Sequence, residues 1–162
     1  MGFDNILLHT TIFEGLEKAD LEQINSIASI KEGNTGDAVF EEGSASDELY
    51  VVITGEVDIQ VDPTHSGQLG SPNAVVITTL RRGQSFGEMA LVSMNPRAAT
   101  ACCAQHDTSL LVIPRKELES LCNENPRLGF VLMRNLAADL ASKMRSTDAS
   151  IQERVSWLDV RP

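Results

Sequence analysis

Short β-rich runs separated by glycines fill the middle of the sequence, and they constrain its fold more than any other feature. The runs are 38–40, 49–53, 57–61 and 75–80, and the glycines between and around them are Gly36, Gly43, Gly55 and Gly83. Short strands at such spacing are typical of an antiparallel barrel or sandwich. Residues 62–73 combine Pro, Gly, His and Ser, which predicts a hairpin loop. Further strands are expected at 100–103 and 109–113.

Helical patterns flank this β-region on both sides. Apolar residues near helical spacing predict helices within the first thirty residues, with Asp20 as the N-cap of a helix over 21–28. After Pro114, one helix is expected over 115–123, and a longer one begins after Pro126. The predicted organisation is a helical segment (1–30), a β-region (31–114), and a hinge with C-terminal helices (115–162), together one domain.

The net charge limits the classes of partner that the chain is expected to bind. Lysine and arginine total 13 against 23 acids, a formal charge of −10. Nucleic-acid binding depends on neutralising phosphates, so no DNA or RNA partner is expected, although a small anion could bind in a local basic pocket. The acidity also argues against an anionic membrane surface, and no apolar run reaches spanning length.

The three cysteines, Cys102, Cys103 and Cys122, are a poor disulfide framework and suit a reducing cytosol. The N-terminus shows no secretory leader, so a cytoplasmic location is expected. Adjacent residues of a strand point to opposite faces, which predicts one of Cys102 and Cys103 buried and the other exposed. No C-x-x-C is present and the histidines are scattered, so no metal is expected.

The segment 86–100 carries the most specific chemistry. It reads Phe-Gly-Glu-Met-Ala-Leu, then four residues, then Pro-Arg-Ala-Ala-Thr. Gly87 allows close backbone approach at the first turn of a short helix, where unpaired N–H groups favour an anion. Glu88 can accept from a hydroxyl, and Arg97 can pair with a phosphate as a planar two-pronged donor. The alternatives are a dipole-complementing Glu88 and a surface ion pair at Arg97, but their joint spacing favours a sugar-phosphate clamp.

These residues resemble the cyclic-nucleotide-binding domain family. Its phosphate-binding cassette reads F-G-E-x-A-L, four residues, then P-R-A-A-T in the protein-kinase regulatory subunits. Upstream, Gly36-Asp37, Gly43, Tyr50 and Gly55-Glu56-Val57 stand where the family's turns stand. The resemblance implies an α+β fold: a jelly-roll-like, antiparallel eight-stranded β-roll with N-terminal helices and a long C-terminal helix.

The resemblance also implies roles for individual residues. Glu88 would accept from the ribose 2′-hydroxyl, and Arg97 would pair with the cyclic phosphate, helped by backbone N–H groups. The residue after the arginine is Ala98, where members that favour cGMP often have threonine, so cAMP is the expected ligand and cGMP remains possible. The expected ligand-binding set is Gly87, Glu88, Met89, Ala90, Arg97, Ala98, Ala99 and Thr147.

The long helix is similar to that of the bacterial catabolite-activator branch, where leucine-like positions lead to a threonine that reads adenine across a dimer seam. Leu136, Leu140 and Met144 match that run, and Thr147 is the candidate base contact or else a tolerated polar seam residue. The same spacing fits a helix packed on its own barrel. A homodimer through this helix is expected, and Trp157 is either a lid over the purine or a packing residue.

The sequence therefore predicts a cAMP-sensing regulatory module, not an enzyme. It would transmit binding through a hinge at 122–129 and the long helix to an output protein that the sequence does not name. Three alternatives remain open. They are a ligand-free structural or dimerisation adaptor, an effector fragment of a transcription regulator lacking its DNA-binding part, and a cysteine-based redox sensor, which would need a thiol of depressed pKa.

Overall fold

A computed structural model describes residues 4–45, 47–64 and 71–159 of the chain. The side chains of Asp4, Ile151 and residues 154–159 lie outside that description, so the expectation for Trp157 is not addressed by it. No helix of the described part is long and apolar enough to cross a membrane.

Helices enclose a β-region, in the order that the sequence predicts. The helices are α1 (Asp4–Leu8), α2 (Lys18–Ile27), α3 (Arg115–Glu124) and α4 (Pro126–Asp159), with short 3-10 helices at Thr11–Phe13 and Glu88–Leu91. The strands are β1 (Ser29–Gly33), β2 (Ala38–Phe40), β3 (Glu48–Thr54), β4 (Val57–Val61), β5 (Val75–Leu80), β6 (Ser85–Phe86), β7 (Thr100–Cys103) and β8 (Thr108–Pro114).

The strands form two four-stranded antiparallel sheets, ordered β1-β8-β3-β6 and β2-β7-β4-β5. In the first, Tyr50 lies opposite both Val112 and Phe86. In the second, Ile59 lies opposite Thr78 and Ala101. Within the described residues, eight antiparallel strands with flanking helices confirm the α+β β-roll.

Strand β8 separates two apolar cores, because successive side chains of a strand point to opposite faces. Leu110 and Val112 join a core inside the roll, together with Tyr50 and Phe86. The alternate residues of β8 face a second core, which the helices build against the outer face of the sheet. The helices are thus part of the hydrophobic core, and α4 enters it with Leu128, Val131, Leu132 and Leu136.

The start of α4 packs closely on α3. A Cβ placed on Gly129 would lie 3.1 Å from the Cβ of Cys122 and 3.2 Å from its carbonyl oxygen. These contacts are tighter than most, so a larger residue here would require α3 to shift by a few tenths of an ångström. Gly129 lies in the segment 122–129 where the sequence predicts a hinge, and here it serves the packing of the two helices.

Three local expectations were wrong. Asp20 is not an N-cap: α2 begins one turn earlier, Glu17 is its N-cap, and Asp20 at N3 accepts from the Glu17 backbone N–H at 2.9 Å in a reciprocal capping box. Strand β1 was missed because four of its five residues are exposed and it shows no apolar alternation. Cys102 and Cys103 are both buried: Cys103 belongs to the core inside the roll, and Cys102 on the opposite face of β7 is also covered, with 6% of its surface exposed.

Candidate functional site

A cavity of about 240 Å³ lies beside the segment that the sequence singled out. Its walls are largely apolar, with polar groups at a few points. The lining residues are Phe40, Ile59, Thr78, Leu80, Phe86, Gly87, Glu88, Met89, Ser93, Asn95, Pro96, Arg97, Ala98, Ala99 and Lys143. Such a concave, mostly apolar site with few polar groups is the usual form of a small-molecule pocket.

Gly87 shapes the pocket at the point where β6 turns into the short helix. Its φ of 76° lies in the left-handed region, which glycine adopts without strain. A Cβ here would come within 2.8 Å of Arg97 Nη1 and 3.0 Å of the Glu48 carbonyl oxygen. Any larger residue would therefore push the arginine out of position.

Arg97 is buried, with 7% of its surface exposed, and two backbone carbonyls hold it. Its Nη1 donates to Gly87 O at 3.1 Å and its Nη2 donates to Glu48 O at 2.8 Å. Burial lowers the pKa of the guanidinium from its ordinary value, although arginine remains charged in proteins. Its Nε is buried without a hydrogen-bond partner among the described residues. A buried charged group with an unused donor suits an anion that would complete its bonding.

Aromatic rings pack against the guanidinium of Arg97. The Cζ of Arg97 lies 4.1 Å from the ring centroid of Phe40, a cation–π distance. Tyr50 and Phe86 stack with their centroids 5.1 Å apart. The Tyr50 hydroxyl donates to the Glu48 carboxylate, and burial together with that carboxylate raises the pKa of the Tyr50 phenol. The side chain of Arg97 is therefore held by packing as well as by hydrogen bonds.

Glu88 begins the short helix and is also 7% exposed. Its Oε1 accepts from Lys143 Nζ of α4 at 2.7 Å, and the same ammonium lies 2.8 Å from Asp139 Oδ2. Burial alone would lower the pKa of the Lys143 ammonium, but the Glu88 and Asp139 carboxylates outweigh it and raise that pKa. The glutamate expected to bind a hydroxyl is thus joined to the long helix by an ion pair.

Most of the other predicted site residues also line the cavity, namely Gly87, Met89, Ala98 and Ala99. Ala90 is fully buried behind the wall, and its N–H donates to Gly87 O at 3.1 Å within the short helix. Thr147 is exposed on α4, and its hydroxyl donates to the Lys143 carbonyl at 3.0 Å. Thr147 is not among the residues that line the cavity, so its contact with a base stays a prediction.

The sequence reasoning missed Lys143, Phe40 and the Glu48 carbonyl. Lys143 follows Asp139 by four positions, which is the spacing of an ordinary surface pair on a helix. Nothing in that pattern indicates Glu88 as a partner. Phe40 was assigned to a strand, but its position over Arg97 depends on how the two sheets pack.

The arrangement suits a ligand that combines an anionic group with a hydroxyl on a largely apolar body. Among the described residues, no group of three His, Cys, Asp or Glu side chains is placed to hold a metal ion. Burial raises the pKa of the Cys102, Cys103 and Cys122 thiols. A redox sensor would need the opposite shift.

Comparison with known proteins finds a family and relatives to which this chain is similar. A family model described as "Cyclic nucleotide-binding domain" matches residues 30–125. A cAMP-dependent protein kinase regulatory subunit of Mycosarcoma maydis is 32% identical over 117 residues, which are 71% of this chain and 21% of that protein. The chain thus spans about a fifth of the length of this curated relative.

Two solved structures show the same architecture. The Thermus thermophilus catabolite activator protein superposes with a TM-score of 0.73 at 27% identity, covering 90% of this chain and 63% of that one. A cyclic nucleotide-binding domain from Methylobacillus flagellatus superposes with a TM-score of 0.79, covering 94% of this chain and 86% of that one. At 22% identity, the second likeness shows the fold alone.

Proposed function

This chain belongs to the cyclic nucleotide-binding domain family, and from that premise we propose that it is a cAMP-sensing regulatory module. One observation carries the proposal. Glu88 and Arg97, each 7% exposed, line the same cavity and leave hydrogen-bonding capacity unused. Burying two charged side chains is costly unless they have partners. Lys143 partners Glu88, whereas the described hydrogen bonds of Arg97 go to two backbone carbonyls and leave its Nε unused, so the pocket favours a ligand whose anionic group pairs with Arg97.

In the proposed complex, Arg97 and Glu88 would each bind one part of the ligand. The unpaired Nε of Arg97 would donate to the cyclic phosphate, and a charge-assisted bond of this kind is among the strongest in proteins. Glu88 would accept from the ribose 2′-hydroxyl. The apolar walls, including Ile59 and Leu80, would contact the uncharged part of the nucleotide.

The proposed preference for cAMP over cGMP is based on Ala98, the residue that follows Arg97. Ala98 lines the cavity and offers no hydroxyl to a guanine or a phosphate. Thr147 is proposed to contact the base in a homodimer, because in this chain it is exposed and one helical turn beyond the cavity-lining Lys143. Met144, 67% exposed, lies on the same helix and would join the dimer contact.

The proposed output is a change in α4 that a partner protein reads, without catalysis by this chain. Direct nucleic-acid binding is not proposed, because the chain carries a formal charge of −10. We place the protein in the cytoplasm, since Cys102, Cys103 and Cys122 are free thiols and reducing compartments keep thiols in that state.

The test is titration calorimetry with cAMP and with cGMP, after removal of any nucleotide that co-purifies. The unsubstituted protein should bind cAMP more tightly than cGMP. Arg97→Ala should weaken cAMP binding by about 2–5 kcal/mol, because it leaves the phosphate without its buried partner. Arg82→Ala is the matched control: Arg82 also donates to a backbone carbonyl, that of Ile53 at 2.8 Å, but on the exposed surface.

The control should bind cAMP like the unsubstituted protein. If Arg97→Ala binds as well as Arg82→Ala, the phosphate does not lie at Arg97. If the folded, nucleotide-free protein binds neither nucleotide, the module is a structural adaptor and the sensing function is wrong.

A further inference from the structure

We propose that Lys143 is a positioning residue for Glu88, so that recognition of the ribose hydroxyl depends on α4. This inference rests on the function proposed above and extends it to a residue outside the cassette. Lys143 is the only α4 side chain of the described part that lines the cavity. It lies 55 positions along the chain from Glu88 and contacts it directly.

The ammonium of Lys143 lies close to two carboxylates. Its Nζ lies 2.7 Å from Glu88 Oε1 and 2.8 Å from Asp139 Oδ2. Asp139 precedes Lys143 by one helical turn, and its side chain is only 19% exposed. The Lys143 side chain is itself 44% exposed, but the Glu88 side chain that it contacts is only 9% exposed, so the contact differs from a surface pair between two mobile side chains.

Because of this contact, the two carboxylate oxygens of Glu88 have different surroundings. Lys143 takes Oε1, and no described donor bonds Oε2. A carboxylate oxygen without a donor can accept from a hydroxyl. Lys143 would thus supply the counter-charge that a buried carboxylate needs, and would leave Oε2 available to the ribose.

Loss of Lys143 should affect only ligands that use that oxygen. Without the ammonium, the Glu88 carboxylate has no described side chain to hold its orientation. A ligand with the 2′-hydroxyl should lose affinity, whereas one without the hydroxyl has no bond to lose. Discrimination between cAMP and 2′-deoxy-cAMP is therefore the quantity that reports on Lys143.

The experiment measures the dissociation constants of both ligands by calorimetry for four variants. Lys143→Met keeps the aliphatic length and removes the charge, and Lys143→Arg keeps the charge. Glu88→Gln alone and combined with Lys143→Met completes a double-mutant cycle. Lys116→Met, at an exposed position on α3, is the matched control for removal of a lysine.

Lys143→Met should weaken cAMP binding about tenfold, the lower end for a hydrogen bond to a charged group, and leave 2′-deoxy-cAMP binding within about twofold. Lys143→Arg should restore most of the discrimination. In the Glu88→Gln background, Lys143→Met should add no further loss. Lys116→Met should change neither constant.

Two results would overturn the inference while the proposed function stands. One is an equal loss for both ligands in Lys143→Met, which would mean general damage or a direct contact with the phosphate. The other is additive losses in the cycle, which would mean that Lys143 acts independently of Glu88. If the unsubstituted protein binds neither ligand, the proposed function itself is wrong and the inference falls with it.

Discussion

The two halves of α4 belong to one continuous helix but have different surroundings. In the first half, Leu128, Leu132 and Leu136 are at most 1% exposed and form part of the core against the helices and β8. Beyond Leu140 the described residues are mostly exposed, and Met144 is 67% exposed. The apolar spacing runs through both halves, so the spacing does not decide burial. What differs is whether another part of the fold lies opposite.

The polar contacts of the two halves differ in the same way. At the start of α4, the buried carboxylate of Asp20 accepts from Asn125 Nδ2 at 3.0 Å and pairs with Arg127. Asn125 Oδ1 in turn accepts from the Leu128 backbone N–H at 3.2 Å. Farther along, the Lys143–Glu88 ion pair joins the helix to the pocket. The first half is thus built into the domain, and the second is joined to it at the ligand site.

The largest expected difference is between two variants that each truncate one apolar side chain, one in each half of α4. Leu132→Ala should lower the free energy of unfolding by about 2–5 kcal/mol, because it leaves a cavity in the core. Met144→Ala should change it by less than about 0.5 kcal/mol, as exposed positions usually do. Urea unfolding at low protein concentration measures both.

The difference between the two halves of α4 would be contradicted if Met144→Ala lowered the free energy of unfolding as much as Leu132→Ala. A cost for Met144→Ala that grows with protein concentration would instead support the proposed homodimer, because association stabilises only the associated fold.

A smaller effect is expected from the contacts of Asp20. Asp20→Ala should cost about 1–3 kcal/mol of unfolding free energy, since it removes the buried carboxylate that accepts from the part-buried Asn125 amide and from the Glu17 backbone N–H at the start of α2. Glu22→Ala is the control on the same helix: its side chain is 57% exposed and lies 3.7 Å from Lys18. A surface pair of this kind contributes about 0–1 kcal/mol. Equal costs for the two variants would show that the start of α4 is not held by Asp20.

The smallest expected effect is a change in how strongly the backbone amides of α4 are protected from hydrogen exchange when ligand is added. Saturating cAMP should slow amide exchange in residues 141–150 and leave 126–140 unchanged, because the first half is already part of the core. Hydrogen exchange resolved by mass spectrometry checks this. A change that begins at 126 would mean that the whole helix moves about the predicted hinge at 122–129. No change in either part would make α4 a static support.

The sequence by itself determined the parts of the protein whose cause is local. Gly87 marks a left-handed backbone position, and Arg97 follows it closely enough in sequence that a short helix and one return segment bring them together. The strands from β2 to β5 were predicted closely, since short β-rich runs bounded by glycine turns are properties of neighbouring residues.

Only the tertiary structure decided the features that depend on distant partners. The spacing of Leu136 and Met144 is alike, yet one is 1% exposed and the other 67%, because the core ends between them. Lys143 has the sequence pattern of a surface lysine, and packing places it on Glu88, 55 positions away. Local spacing states which face of a helix is apolar, but what lies opposite that face is set by how the helices and sheets pack.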